Sequence, residues 1–130
     1  MKITVLNLTE AKNYIPSKSA IIIRIFDSNQ IPELKGSFLA EKHFFFSDLE
    51  DKDSPYSISQ EEADSLIAFV KENSSVKEIV IHCVYAQGRS PAVGYVLSEY
   101  FNIPFSKEQY PDINHLVIER LQESLKKESL

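Results

Sequence analysis

Nine consecutive residues, HCVYAQGRS at positions 82–90, bring together the side chains needed for nucleophilic chemistry on an anion. Cys83 is the only cysteine of the chain, and a cysteine thiolate is a strong nucleophile. Arg89 follows six positions later, and a guanidinium binds phosphate-like anions through two parallel hydrogen bonds. Ser90 adds a hydroxyl directly after the arginine. The spacing therefore predicts a nucleophile and an anion clamp at the two ends of one short loop.

The flanking residues indicate which elements hold this cysteine loop, defined here as residues 83–89. Ile79, Val80 and Ile81 form an apolar run typical of a buried strand. Pro91 stands where the first turn of a helix is expected, because the N–H that proline lacks would have no partner there. A loop between a strand and a helix N-terminus points backbone N–H groups at one spot, where the helix dipole also favours negative charge. We therefore expect an anion cradle with the cysteine at its base.

The loop resembles the signature loop of the cysteine-dependent protein tyrosine and dual-specificity phosphatase superfamily, which has the pattern HC-x5-R-[ST]. Cys83, Arg89 and Ser90 match it residue by residue, and the PAVGY helix start is similar to that of small bacterial members. The resemblance implies hydrolysis of phosphate monoesters through a phosphocysteine on Cys83, with Ser90 stabilising the sulfur as leaving group. It also implies that the substrate phosphate is bound by Val84, Tyr85, Ala86, Gln87, Gly88 and Arg89.

One loop position departs from the family pattern, which usually has glycine three residues after the cysteine. This chain has Ala86 there, whereas Gly88 before the arginine is a variant that the family uses. Alanine is unstrained only if its φ angle is negative, so a positive φ at Ala86 would be strained. Tyr85 and Gln87 are expected on the rim, where they would shape access to the cradle.

A phosphatase of this kind also uses a carboxylic acid that protonates the leaving group, on a loop some thirty or more residues before the cysteine. The acidic segment SDLEDKD is the candidate at that distance. Asp48, two positions after the aromatic HFFF run, matches best, with Asp51 and Asp53 as second choices.

The histidines and glycines suggest no metal or nucleotide site. His82 is predicted to support the loop by hydrogen bonding to its carbonyls, whereas His43 and His115 are expected to be structural. One cysteine excludes a thiolate zinc site, no cluster has metal-ligand spacing, and three glycines leave no nucleotide-binding loop. We expect no cofactor and no metal.

Strands alternating with helices predict one α/β domain over residues 1–130, with a mostly parallel central sheet of four to five strands and helices on both faces. The resemblance implies that this fold is protein tyrosine phosphatase-like. Ser59 and Glu62 form a capping box that starts a helix. Predicted strands cover 2–8, 20–26, 41–46 and the run before Cys83. Predicted helices start at Thr9, Ser59 and Pro111, and a further one has Pro91 in its first turn; one helical turn is predicted at 32–35, ended by Gly36.

Composition narrows the partners and the compartment. The net charge of −5 argues against nucleic acid or an anionic membrane as a partner, whereas a local arginine cradle still suits an anionic substrate. A single cysteine fits a reducing compartment, and we find neither a signal peptide nor a run of membrane-spanning length, so we expect a cytoplasmic protein.

Four hypotheses about the function of the cysteine loop remain open. The first is the phosphatase, acting on a phosphorylated protein or a small phosphoester. The second is a catalytically weak phosphate-binding module on the same fold. Arsenate reduction uses a similar loop but usually needs partner cysteines, which this chain lacks, and a sulfur-transfer loop fits the flanking histidine and serine less well. The sequence does not separate phosphotyrosine, phosphoserine or phosphothreonine and small-molecule substrates, and it leaves the oligomeric state undetermined.

Overall fold

A computed structural model describes residues 1–128, so the last two residues of the predicted domain lie outside the described part. Its elements, in chain order, are β1 (Lys2–Leu6), α1 (Leu8–Asn13), β2 (Ala20–Phe26), β3 (Ala40–Phe45), α2 (Gln60–Glu72), β4 (Glu78–His82), α3 (Arg89–Tyr100), a 3-10 turn (Lys107–Gln109) and α4 (His115–Glu128). Within this range, no helix is both long and apolar enough to cross a lipid bilayer.

The four strands form one parallel sheet in the order β1-β4-β2-β3. Strands β2 and β4 occupy the centre, and every residue of both is buried. This explains the continuous apolar sequence of β2, because a strand covered on both faces has no solvent-facing positions. The predicted single α/β domain with a parallel sheet is confirmed over the described residues.

The two faces of the sheet are covered differently. Ile23 of β2 and Ile81 of β4 pack into one hydrophobic cluster with α2, α3 and α4. The alternate positions, including Arg24 and His82, point to the other face. The β1–β2 and β2–β3 connections cross the sheet in one direction, and the β3–β4 connection, which contains α2, crosses it in the other. Because crossovers between parallel strands are right-handed, the first two connections lie on the face opposite to α2. These connections contain α1 and the segment 27–39. Consistent with this, Arg24 contacts Pro32 within that segment.

Parallel strands bring three separate parts of the sequence to one edge of the sheet. Asp27 follows β2, Asp48 lies three residues beyond β3, and Cys83 follows β4. Because β2 pairs with both β3 and β4, these carboxyl ends are neighbours. Ligand crevices of open parallel sheets lie at such an edge.

Several predicted element boundaries are corrected. Helix α1 is capped by Asn7 rather than Thr9, through a capping box with Glu10. The predicted turn at 32–35 does not form, and Gly36 does not have a positive φ. The last helix begins at His115 rather than at Pro111, because the side chain of Asn114 accepts a hydrogen bond from Val117 N at 3.0 Å and so caps it. The capping box at the start of α2 is confirmed.

Candidate active site

Cys83 lies at the carboxyl end of β4, at the base of a cleft of about 180 Å³. The residue is only 2% exposed, yet it lines the cleft. Its Sγ lies 3.1 Å from the Ser90 hydroxyl and 3.5 Å from the Ser90 backbone N–H. The backbone N–H of Ser90 donates to the sulfur, and the Ser90 hydroxyl is within hydrogen-bond distance of it. Cys83 and Ser90, which the resemblance pairs in the reaction, are therefore in hydrogen-bonding contact. The cleft is lined by Asp27, Asp48, Cys83, Tyr85, Gln87, Gly88 and Arg89.

The cysteine loop leads directly into α3, whose N-cap is Gly88. Gly88 has no side chain with which to cap the helix. Of the first N–H groups of α3, that of Ser90 points at the sulfur and that of Arg89 has no acceptor among the described residues. Among the hydrogen bonds of residues 1–128, none is donated by the backbone N–H of residues 84–88. The amides of the loop and of Arg89 thus form an unsatisfied donor set close to the sulfur in the sequence.

The guanidinium of Arg89 is nearly buried, at 4% exposed, and it is held rigidly. Nη1 donates to Asp27 Oδ1 at 3.0 Å and to the Phe46 carbonyl at 2.8 Å, and Nη2 donates to Asp27 Oδ2 at 3.1 Å. The Asp27 carboxylate thus occupies one N–H of Nη1 and one of Nη2, and the Phe46 carbonyl occupies the other N–H of Nη1.

The other edge of this guanidinium has donors that no residue of the described part accepts. An arginine has five N–H donors, of which the three contacts above use three. Nε is buried and finds no partner in the part of the chain that the structure describes. Nε–H and the second N–H of Nη2 lie side by side, which is the geometry of a bidentate contact to two oxygens of one anion. A buried donor without a partner is costly, so its presence beside the cleft points to a ligand.

Asp27 is the site residue that sequence reasoning missed. It is the first residue of the Asp27-Ser28-Asn29 sequence after β2, and such a polar cluster is by itself typical of a turn. Its position could have been predicted, because a polar residue directly after a buried parallel strand lies at the same end of the sheet as the cysteine loop. What no pattern in the sequence indicated is its bidentate contact with Arg89.

Asp48, the predicted acid, lines the cleft directly above Gly88. A Cβ built at Gly88 would lie 2.3 Å from Asp48 Oδ2 and 2.5 Å from Oδ1, so only glycine admits the carboxylate here. Asn114 Nδ2 donates to Asp48 Oδ1 at 2.7 Å and to the Leu49 carbonyl at 3.1 Å. Asn114 N in turn donates to the Gly88 carbonyl at 3.1 Å. Asn114 therefore joins the acidic loop, the cysteine loop and the start of α4.

Asp51 and Asp53 are not among the residues that line the cleft. The carboxylate of Asp51 accepts a hydrogen bond from the backbone N–H of Asp53 at 3.0 Å, and its carbonyl accepts one from the Ser57 hydroxyl at 2.6 Å. Asp51 thus stabilises the turn of its own loop. Of the three candidate acids, the geometry favours Asp48.

Ala86 has a positive φ of 56°. This is the left-handed region, which costs a residue with a Cβ roughly 1–2 kcal/mol relative to its preferred conformations. The condition under which alanine would be unstrained at this position is therefore not met. The loop conformation needs the angle that glycine adopts freely, and the surrounding structure imposes it on alanine.

The rim of the cleft is formed by exposed side chains. Tyr85 is 74% exposed, and Gln87 is exposed beside it. Gln87 also lines a neighbouring pocket of about 210 Å³ together with Ala86 and Tyr110. Val84 does not line the cleft; its carbonyl accepts a hydrogen bond from Leu8 N at 3.1 Å and so ties the loop to α1.

His82 is fully buried beneath the loop, and its Nδ1 lies 3.4 Å from the Cys83 carbonyl. Burial, with the nearby positive charge of Arg24, lowers the pKa of His82 from 6.5 to about 4, so the ring is neutral near pH 7. His43 pairs with Glu41, and His115 Nδ1 lies 3.0 Å from Glu50 Oε2; neither lines the cleft. Among residues 1–128, no group of three histidine, cysteine or carboxylate side chains is arranged to hold a metal ion.

Comparisons with known proteins add no identification. No protein-family model matches the chain, and no solved structure matches it significantly. The functional argument therefore depends on the residues of the site and on their geometry.

Proposed function

We propose that this chain is a cysteine-dependent phosphatase of the protein tyrosine and dual-specificity type, which hydrolyses phosphate monoesters through a phosphocysteine on Cys83. The observation that carries the proposal is that Arg89, whose buried Nε–H has no partner among the described residues, lines the same cleft as Cys83. The Nε–H edge of Arg89 can hold two phosphoryl oxygens while the loop amides hold the third.

In the first step, Cys83 Sγ attacks phosphorus and the bond from phosphorus to the ester oxygen breaks. Asp48 supplies a proton to that oxygen. Its Oδ1 accepts from Asn114, so the proton belongs on Oδ2, the oxygen closer to the position that a Cβ at Gly88 would occupy. In the second step, water attacks the phosphocysteine, Asp48 takes a proton from that water, and the P–S bond breaks. Ser90 stabilises the departing sulfur from 3.1 Å.

A non-catalytic phosphate-binding module on the same fold is the second candidate. Two observations favour it: Ala86 is strained at φ 56°, and Asp27 already offsets the charge of Arg89. A strained loop and a neutralised arginine would both reduce stabilisation of the transition state, while leaving amide donors for a phosphate.

The deciding experiment measures hydrolysis of a chromogenic aryl phosphate by the wild type and by Cys83→Ser. The enzyme hypothesis expects turnover that vanadate inhibits, a phosphoenzyme that rapid denaturation traps, and loss of both in Cys83→Ser. It also expects that Cys83→Ser still binds phosphate, which shows that the cradle is intact. Phosphate binding by the wild type without turnover would support the module instead.

The role of Asp48 has its own test. Asp48→Asn should reduce hydrolysis of an alkyl phosphate by about 100-fold or more, since a poor leaving group needs the proton. An aryl phosphate with an acidic phenol should be affected far less. Asp51→Asn, on the same loop but outside the cleft, is the matched control. Equal losses with both substrates would remove Asp48 from the acid role.

The substrate class is proposed more broadly. The cleft of about 180 Å³ is open at the rim formed by Tyr85 and Gln87, so it suits phosphoproteins and small phosphoesters alike. A panel of phosphotyrosine and phosphoserine peptides with small phosphoesters, compared by kcat/KM, would rank these classes.

A further inference from the structure

Arg24 is a buried cation that the proposed reaction does not use. It is 2% exposed, lies on the central strand β2, and is in register with His82 on β4. Burying a charged side chain inside a sheet is costly unless each of its hydrogen-bond donors has an acceptor.

The contacts of Arg24 lead towards the cysteine loop. Nε donates to His82 Nε2 at 3.0 Å, Nη1 donates to Glu41 Oε2 at 3.0 Å, and Nη2 donates to the Pro32 carbonyl at 2.6 Å. The guanidinium also lies 5.0 Å from the centre of the Phe26 ring, which is a favourable cation–π distance. The charge is therefore paired, and Nε is directed at the histidine.

The contact between Arg24 and His82 determines the state of the imidazole. An arginine N–H can only donate, so His82 Nε2 must be the unprotonated nitrogen. In a neutral ring the proton is then on Nδ1, and Nδ1 faces the carbonyl oxygen of Cys83 at 3.4 Å. The proton placed on Nδ1 can therefore be donated to the backbone of the nucleophile itself.

We propose that Arg24 is a positioning residue for the cysteine loop: it holds His82 in the tautomer with the proton on Nδ1, and that proton holds the Cys83 carbonyl beneath the cradle. Because Cys83 is the first residue of the cysteine loop, fixing its carbonyl helps to keep the backbone N–H groups of the rest of the loop directed at the cleft. The catalytic consequence rests on the proposed phosphatase activity, whereas the tautomer does not.

The charged and titratable groups near His82 are consistent with this role. Burial is the main cause of its lowered pKa, and the positive charge of Arg24 on β2 lowers the pKa further. From β3, Glu41 raises that pKa and His43 lowers it. Without Arg24, both the donor that selects the tautomer and one of the charges that oppose protonation are lost.

Two substitutions separate the hydrogen bond from the charge. Arg24→Gln places an amide N–H at the position of Nε, so it restores the donor without the charge. Arg24→Met has similar length and no donor. The partner carboxylate of Glu41 is 36% exposed and also pairs with His43, so neither variant leaves a buried unpaired charge and both are expected to fold. Glu41→Gln is the matched control, because it changes the ion pair while leaving the Arg24–His82 contact intact.

The measurement is proton–nitrogen NMR of the His82 ring in the full-length protein, followed from pH 5 to pH 8. In the wild type, Glu41→Gln and Arg24→Gln, we expect the proton on Nδ1 at neutral pH. In Arg24→Met we expect a mixture of tautomers or the proton on Nε2. In the active protein, kcat for an aryl phosphate should fall by about tenfold in Arg24→Met and substantially less in Arg24→Gln.

The outcomes distinguish the two proposals. If Arg24→Met keeps the wild-type tautomer, or if Arg24→Gln loses it as completely as Arg24→Met, the positioning role is refuted. A change of tautomer in Arg24→Met with unchanged kcat would refute the catalytic consequence. If the wild type has no turnover, the phosphatase proposal fails, and the NMR result still decides whether Arg24 selects the tautomer.

Discussion

Gly88→Ala offers a direct test of how the acid is positioned. The new Cβ would lie 2.3 Å from Asp48 Oδ2, whereas nonbonded atoms require about 3.4 Å or more. The carboxylate must therefore retreat by about 1 Å. A displacement of this size at a reacting group costs on the order of 100-fold in rate. The φ angle of Gly88 is −118°, which alanine accepts, so the effect arises from the contact with Asp48.

The assay compares kcat/KM for an alkyl phosphate and for an aryl phosphate with a good leaving group. We expect a loss of about 100-fold for the first and less than about fivefold for the second, because only the poor leaving group needs the acid. Vanadate inhibition should change little, which would show that the cradle remains intact. The fold should lose only about 1 kcal/mol, the value of the hydrogen bond between Asn114 and Asp48.

The double variant Gly88→Ala/Asp48→Asn sharpens this test. If the alanine acts by displacing Asp48, removing the carboxylate as well should cause little further loss of alkyl phosphate hydrolysis. Losses that multiply, or equal losses for the two substrates in Gly88→Ala, would refute the reasoning.

Three further predictions follow from strain, burial and charge. Ala86→Gly should raise the free energy of unfolding by about 1 kcal/mol, because glycine adopts the φ of 56° freely; urea denaturation checks this, and a loss of stability would contradict it. The pKa of His82 is 6.5 in the unfolded chain and about 4 in the folded chain, so the unfolded state takes up a proton first as the pH falls. The free energy of unfolding should therefore fall by about 2 kcal/mol from pH 8 to pH 5. That part of the pH dependence should vanish in His82→Gln, which keeps an acceptor for Arg24; its persistence would assign the pH effect to other groups. Asp27→Asn should tighten phosphate binding by removing a negative charge from the cleft, yet lower kcat about tenfold by loosening Arg89, and weaker phosphate binding would contradict this.

The strands and the cysteine loop could be predicted because their signals are local. AIIIRIF is apolar at six of seven positions and forms β2 with the predicted bounds, since a buried strand is encoded by consecutive residues. Ser59 and Glu62 place the start of α2 for the same reason, because a capping box spans four positions. The helix boundaries that were wrong, at Thr9 and Pro111, are those where a nearby asparagine supplies the cap instead.

The candidate site was only partly predictable. Cys83 and Ser90 are seven positions apart, and the contact between them follows from a strand-loop-helix turn. Asp27 and Arg89 are 62 positions apart, and no periodicity in the sequence links them. Their contact depends on the strand order β1-β4-β2-β3, which brings the ends of β2 and β4 together.

The sequence by itself predicted a candidate nucleophile, a candidate anion clamp and the parallel α/β architecture, because each is encoded by neighbouring residues or by the alternation of elements. Only the tertiary structure decided that Asp27 holds one end of Arg89 and leaves its Nε–H edge unpaired. It alone decided that Ala86 is strained and that Arg24 reaches His82 from the adjacent strand. The physical reason is that hydrogen bonds between side chains depend on strand order and register, which residues distant in the sequence establish together.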